Sequence, residues 1–490
     1  MTAGAPLSPL ERAGVRETPP HPGPLAAGEE GNWLALLRAP ATRWFAACWL
    51  AAALIGLALA VQPAHPLADV THYKLWTRLV TTEGVAAIYS GEYPDGYVIY
   101  PPVTMYGLSI IGHLYQALVD PTFDREQALA SHWLTVAIRL MALSVHLLTG
   151  SVLFVLLGRW APRGAADIGA GLYLLNPGAL WDVAVWGQPN SWHSLFALLG
   201  IWLVGRGGFF AGGAWLGLAA MTKPQAWVLL PLAGAALVRP PSPALAPNNG
   251  GKGVRLPFPL RGGVPRMGRQ VIGPVFRTAL GAGAVGLAVL LPFLASGRLR
   301  QVLTLPGHIS SVMPVASANA HNLWWLVTRG ELPFVLDSES LPGALPLSYR
   351  QAALLLVVAA LGFSLWRTWL ARGPWELAAL AAFSGHAWFC LTTAAHENHA
   401  FMVFPFLCLV WWRNRFLAAV LVLLIGTFSS NVIVHDFGLV PLFDAALGRW
   451  SWRLQMAASG LNLAILVAWT VWLLRPGGGP AGPPERAFSA

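Results

Sequence analysis

The chain has 490 residues, of which 56% are hydrophobic and only 11% charged, and its mean hydropathy is +0.56. Soluble domains carry roughly 25% charged residues, so this composition excludes a water-soluble protein and predicts an all-α polytopic membrane protein. The formal charge of +10 does not point to nucleic acid, because the basic residues sit in short stretches between apolar runs and form no continuous face.

Residues 1–43 are rich in Pro and Gly, of mixed charge and without an apolar core segment, which reads as a disordered cytoplasmic tail and not a signal peptide. Apolar runs of spanning length, roughly 17–25 residues, follow at 44–62, 133–157, 275–295, 350–371, 375–394, 415–434 and 455–474. Shorter runs at 165–180, 192–205, 208–221, 225–238 and 400–412 bring the expected total to about 12 transmembrane helices. They form one transmembrane domain over 44–475, ahead of a second cytoplasmic tail at 476–490. Cys48, Cys390 and Cys408 all fall inside apolar runs, with no CxxC spacing, and read as buried small side chains.

Sidedness follows from the basic residues. With the N-terminus inside, the inner segments hold 20 Lys and Arg, the outer segments 10, and Arg139 lies within a span. That asymmetry is the one cytoplasmic loops show. It also takes the run 103–119 as interfacial or re-entrant, because a span there would carry Arg159 and Arg163 outside. The loop 239–274 begins a basic cytoplasmic block, 239–277, with seven Lys and Arg and no acid, read as an orientation signal more than a site for anionic lipid. Every polar motif then lands on the outer face, in the loop 63–132, the turns 181–191 and 222–225, the loop 296–349 and the turn 395–399.

The first outer loop opens with Asp69, ahead of a stretch from Thr71 to Leu79 whose apolar and aromatic residues recur at helical spacing, predicting an interfacial helix. Asp69 is equally suited to cap that helix. Tyr73 lies on it, and the loop continues through Tyr89, Tyr93 and Tyr97 to Tyr100-Pro101-Pro102, a turn made rigid by its Pro pair. Inside the second span, Arg139 and His146 are seven residues apart and share a face. Arg139 either snorkels to the interface or offers forked donors to a phosphate. The turn from Trp181 to His193 carries Asp182, Trp186, Gln188 and Asn190. Lys223 and Gln225 flank Pro224 in the next outer turn, where a cation runs against the positive-inside tendency. Asn319, His321 and Asn322 follow in the loop 296–349. His396-Glu397-Asn398-His399 falls one residue short of the HExxH zinc spacing, so its imidazoles fit donation to phosphate or sugar hydroxyls better than a metal.

Taken in order along the chain, Asp69 in DVTHYKLW, YPP at Tyr100, WGQ at Trp186 to Gln188, KPQ at Lys223 to Gln225, NAHNLWW at Asn319 to Trp325 and HENH at His396 to His399 resemble the membrane-integral GT-C glycosyltransferases. The likeness is nearest to bacterial relatives of the GPI mannosyltransferases, then to glucosyltransferases that use dolichyl-phosphate-glucose, and it runs from about 44 to 475. It implies transfer of a hexose, mannose or glucose, from a polyprenyl-phosphate donor to a lipid, glycan or protein hydroxyl at the extracytoplasmic face of the cell membrane, with inversion and without a metal or other cofactor. Asp69 is then the general base. Arg139, Lys223, His396 and His399 would hold the donor phosphate, and Tyr73, Tyr100, Asp182, Trp186, Gln188, Asn190, Gln225, Asn319, His321, Asn322 and Glu397 the substrates. One departure stands out. Relatives commonly have Asp two positions after the Gln of WGQ, where this chain has Asn190, and Asp182 could substitute.

The rival reading is a polytopic transporter or lipid flippase. Transporters favour internal repeats and broken helices at matched positions. No repeat is visible here, and the polar residues crowd the outer loops.

Overall fold

Apolar runs without water must satisfy their own backbone groups, which leaves helix as the available form. The computed structural model describes residues 42–66, 69–91, 98–162, 164–238, 265–330, 335–343, 346–371 and 373–475. Among these it is all-helical, with isolated β-bridges but no strand. The expected tails at 1–41 and 476–490, the loop 239–264, Tyr93, Tyr97 and Arg163 lie outside the described residues.

Among the described residues six helices are long and apolar enough to cross a membrane: Arg43–Ala60, His132–Trp160, Val271–Ala295, Tyr349–Leu370, Arg415–Val434 and Arg449–Leu474. They coincide with six of the seven long apolar runs. Their outward faces are apolar and unpacked, as at Leu54 (59% exposed), Leu354 (62%) and Val467 (62%), a pattern that suits lipid and not water. The seventh run forms Pro374–Leu391, started by Pro374 at its first turn. It is wrapped by its neighbours, with Leu377, Ala382 and Cys390 fully buried, and Val403–Val410 beside it is buried along its whole length.

The shorter apolar runs form the helices Phe209–Ala220 and, with their short 3₁₀ leads, Pro224–Val238 and His399–Arg413. The run 165–180 is interrupted where Asn176 caps a new helix, Pro177–Ala184, and Pro177 occupies its first position. Phe209–Ala220 crosses Pro265–Ala295 at glycines. A Cβ on Gly213 would lie 2.0 Å from the Thr278 carbonyl oxygen, and one on Gly281 2.0 Å from that of Phe210. Backbones approach this closely only where both helices present small residues.

The first outer loop folds as its periodicity predicts. The helix Val70–Thr82 buries Tyr73, Trp76, Leu79 and Val80 against Pro102–Leu118, giving a second apolar cluster with Tyr89, Tyr100 and Phe293. Across the molecule, the Ala318 N–H donates to the Ala395 carbonyl at 2.9 Å and the Ala394 N–H to the Val315 carbonyl at 2.9 Å. Those bonds hold the loop 296–349 against the turn 395–399.

Candidate active site

Asp69 precedes Val70–Thr82 in the capping position, yet its side chain makes no capping hydrogen bond. Its carboxylate instead accepts a hydrogen bond from Gln188 Nε2. Gln188 Oε1 accepts from Lys223 Nζ at 3.0 Å and from the Tyr100 hydroxyl at 3.1 Å. Lys223 Nζ also donates to Asn190 Oδ1 at 2.6 Å, and Asn190 Nδ2 donates to both oxygens of Asp182, at 3.1 and 3.0 Å. A single chain therefore runs Asp69, Gln188, Lys223, Asn190, Asp182, with the cation at its centre and a carboxylate at each end. An ammonium can only donate, so each amide must turn its oxygen to Lys223 and its N–H₂ to a carboxylate. The orientation of both amides is fixed by charge.

The two ends differ in exposure. Asp182 is fully buried, as are Gln188, Asn190 and Lys223 to within 2%, whereas Asp69 is partly exposed. Burial pushes Asp182 up to about 8, held back by the charge of Lys223. It pulls Lys223 down to about 8, held back by Asp182 and Asp69. The Tyr100 ring faces the ammonium, 4.8 Å from Nζ to ring centre, which compensates part of its lost hydration. Tyr73 bonds the Tyr100 hydroxyl at 3.1 Å, and the Tyr89 hydroxyl donates to the Tyr100 carbonyl at 2.7 Å. Gly187 makes the turn possible. Its φ is +71°, and a Cβ there would sit 3.3 Å from Ile138, so glycine is favoured both by the backbone and by the space.

The HENH turn joins the same electrostatic field. His396 feels the charges of Asp69 and Lys223. Glu397 is pushed up to about 8, first by burial and then by the charges of Asp69 and Asp182. Glu397 Oε2 has no hydrogen-bond partner, and His396 Nδ1 lies 3.8 Å from it. The imidazoles of His396 and His399 lie 5.2 Å apart between ring centres. The His396 N–H donates to His399 Nδ1 at 3.2 Å, which leaves the His399 proton on Nε2. Among the described residues no three His, Cys, Asp or Glu are grouped as metal ligands.

Several expected site residues are committed elsewhere. Arg139, 1% exposed, donates from Nε to the Val185 carbonyl at 2.7 Å and from Nη1 to the Ala60 and Gln62 carbonyls. It clamps the end of the first span to the turn before WGQ, which commits Nε and Nη1 to backbone carbonyls. His146 bonds the Leu174 carbonyl at 3.1 Å. The indole N–H groups of Trp186 and Trp181 both donate to Asp436 Oδ2, at 2.7 and 2.9 Å. Asn322 caps the helix Leu323–Val327 by accepting from the Trp324 and Trp325 N–H groups. Its amide donates to the Phe389 and Thr392 carbonyls. His321 pairs with His435 at 3.1 Å between Nε2 atoms, and Asn319, at φ +63°, gives its carbonyl to Asn431. These three brace the loop 296–349 through bonds within the chain. Gln225 is 5% exposed with Oε1 unpartnered and stays outside the chain.

Sequence reasoning missed Asp436, Asn431, His435 and Asn462. Asn431 and Asn462 lie inside spans, where a buried polar side chain was itself the signal. Asp436, in the turn after a span, had none. No known protein family matches the chain, and no curated protein matches it.

Proposed function

We propose that the chain is a polytopic glycosyltransferase of the GT-C type, its six long helices and the shorter apolar ones together making about twelve spans, with its site on the extracytoplasmic face. The donor is a hexose on a polyprenyl phosphate. The observation that carries this reading is the buried charge chain whose one partly exposed end is the Asp69 carboxylate. Buried ionisable groups are expensive at membrane depth, and this arrangement directs their combined field at a single carboxylate within reach of a substrate.

Asp69 takes the proton of an acceptor hydroxyl as that oxygen attacks the anomeric carbon. The bond from that carbon to the phosphate oxygen breaks, and the phosphate leaves with the electron pair, inverting the centre. No protein acid is needed for that leaving group, in contrast to the carboxyl pairs of glycoside hydrolysis. The imidazoles of His396 and His399 are the donors available to the departing phosphate, and preorganised donors in a partly dehydrated site stabilise such charge well. Both Lys223 hydrogen bonds go to amides, so Lys223 serves the base through Gln188 in place of the phosphate role expected of it.

The test is Asp69→Asn in membranes supplied with radiolabelled polyprenyl-phosphate hexoses. Transfer should fall by roughly 10²–10⁴-fold with expression and membrane insertion unchanged. Wild-type membranes that transfer no sugar from any such donor would end the transferase reading, and transfer retained by Asp69→Asn would end the base assignment.

A further inference from the structure

Beside the site lies a cavity of about 240 Å³ that none of the motifs enters. The first outer loop gives it Tyr89 and Val98, and the helices Leu299–Leu303 and Leu305–Val312, with Thr304 between them, give it Gln301, Thr304, Leu305 and His308. Its volume is below the roughly 300–1,000 Å³ of pockets that take drug-sized ligands, so it suits a single ring. Tyr89 links it to the chemistry. Its hydroxyl holds the Tyr100 carbonyl, and the Tyr100 hydroxyl holds Gln188, which bonds Asp69.

Three ligand chemistries can be weighed against the wall. A prenyl or acyl tail wants an apolar lining, but Ser90, Gln301, Thr304 and His308 are polar. A phosphate wants fixed cations, and among the described residues no Lys or Arg lines the cavity. A neutral polyhydroxyl ring wants an aromatic wall with amide and hydroxyl groups, which Tyr89, Gln301 and Thr304 supply. Gln301 Oε1 adds the deciding detail: it is buried and, among the described residues, has no hydrogen-bond partner. A buried acceptor left unpaired costs about 1–3 kcal/mol, and a ligand hydroxyl would satisfy it.

We infer that this cavity is a subsite for a neutral sugar ring of the acceptor, so that the acceptor is a glycan and not a protein side chain. The inference rests on the transferase reading for the word acceptor, and on the cavity alone for the sugar. The outer surface alongside is apolar, with Leu303 62% and Leu294 56% exposed, which leaves a lipid-anchored glycan free to present its head from the membrane edge.

The test is saturation-transfer NMR on the full chain in nanodiscs, with methyl α-glycosides of mannose, glucose and galactose as probes. At least one glycoside should bind, and Gln301→Leu should weaken it tenfold or more. Val98→Trp, which fills the space without altering a polar group, should do the same, and Leu354→Ala, on an exposed helix face, should bind as wild type does. No binding by any of the three, binding untouched by both cavity variants, or displacement of the glycoside by hexyl phosphate would overturn the subsite. Transfer by wild type without glycoside binding removes the subsite and leaves the transferase reading intact. Glycoside binding without transfer removes the acceptor role.

Discussion

Asn190→Asp inverts one link of the buried chain and gives a prediction with a sign and a size. The substitution puts a carboxylate oxygen where Nδ2 now donates to both Asp182 oxygens at 3.1 and 3.0 Å. At about 3 Å and an effective dielectric of about 20, two unit charges repel by about 5 kcal/mol. Holding a proton between them relieves this, and burial already pushes Asp182 up to about 8, so one carboxyl stays neutral. What remains is the loss of two donated bonds and the cost of that proton, about 2–5 kcal/mol of stability. Wild-type Asp182 already holds a proton up to about 8, so both proteins lose stability in parallel as pH rises towards that value and the deficit stays nearly constant across it. The reciprocal exchange, Asn190→Asp with Asp182→Asn, keeps charge and hydrogen-bond count. Its new carboxylate meets Lys223 across the present 2.6 Å contact and accepts from the new amide. Thermal melting in nanodiscs at pH 6 should show the single variant well below wild type and the double variant recovering at least half. A single variant that melts with wild type, or a double variant no better than the single, refutes the chain as drawn.

Lys223→Met and Gln188→Leu should each lower kcat about 10–100-fold with donor KM nearly unchanged. Together they should do no more than Lys223→Met alone, since a hydrogen bond to a charged group, worth about 1.5–3 kcal/mol, couples the two; additive losses would show that Lys223 acts elsewhere. Glu397 holds its proton up to about 8, from an ordinary value of 4.5, so its stabilising contribution is present at acid pH and lost as pH climbs through that window. The melting difference between Glu397→Gln and wild type should widen from pH 5 to 8 and be small at pH 5. Arg139→Met should destabilise the fold by about 3–5 kcal/mol, and Arg139→Lys should rescue little, because a point charge cannot span Nε and Nη1 contacts. The donor KM of the surviving folded protein should stay at the wild-type value.

Asp69, Asp182, Gln188, Asn190 and Lys223 were legible because each is a polar residue in an outer turn of a chain that has few. Their linkage was not legible. Nothing in spacing says that Asn190 answers Asp182 eight residues earlier, or that Lys223 bridges two amides of the WGQPN turn. The partners of Arg139 were hidden for a related reason. A lone guanidinium in a span reads as a ligand site, and its real partners are backbone carbonyls at Ala60, Gln62 and Val185, which carry no sequence mark. Asn322 looked like a substrate contact because its capping role depends on backbone geometry that only the fold supplies. The helix Val70–Thr82 followed from periodicity, since one of its faces is buried and the other is not. Pro374–Leu391 was uniformly apolar because neighbours enclose it, a condition that hydropathy alone does not separate from lipid contact.

The amides in the chain have a physical purpose that a direct ion pair would not serve. On the transferase reading proposed above, a Lys223 ammonium touching Asp69 would compete with the acceptor hydroxyl for the carboxylate. Gln188 transmits the same polarisation through aligned dipoles, oxygen to the cation and N–H₂ to the carboxylate, and it does not titrate. Asn190 repeats the arrangement towards Asp182, whose full burial keeps that second carboxylate out of reach of any substrate. The pair of amides thus lets one buried cation serve two carboxylates while only the outer one stays accessible. That division gives Asn190 its place: its amide oxygen accepts from Lys223 and its N–H₂ donates to a carboxyl eight residues away.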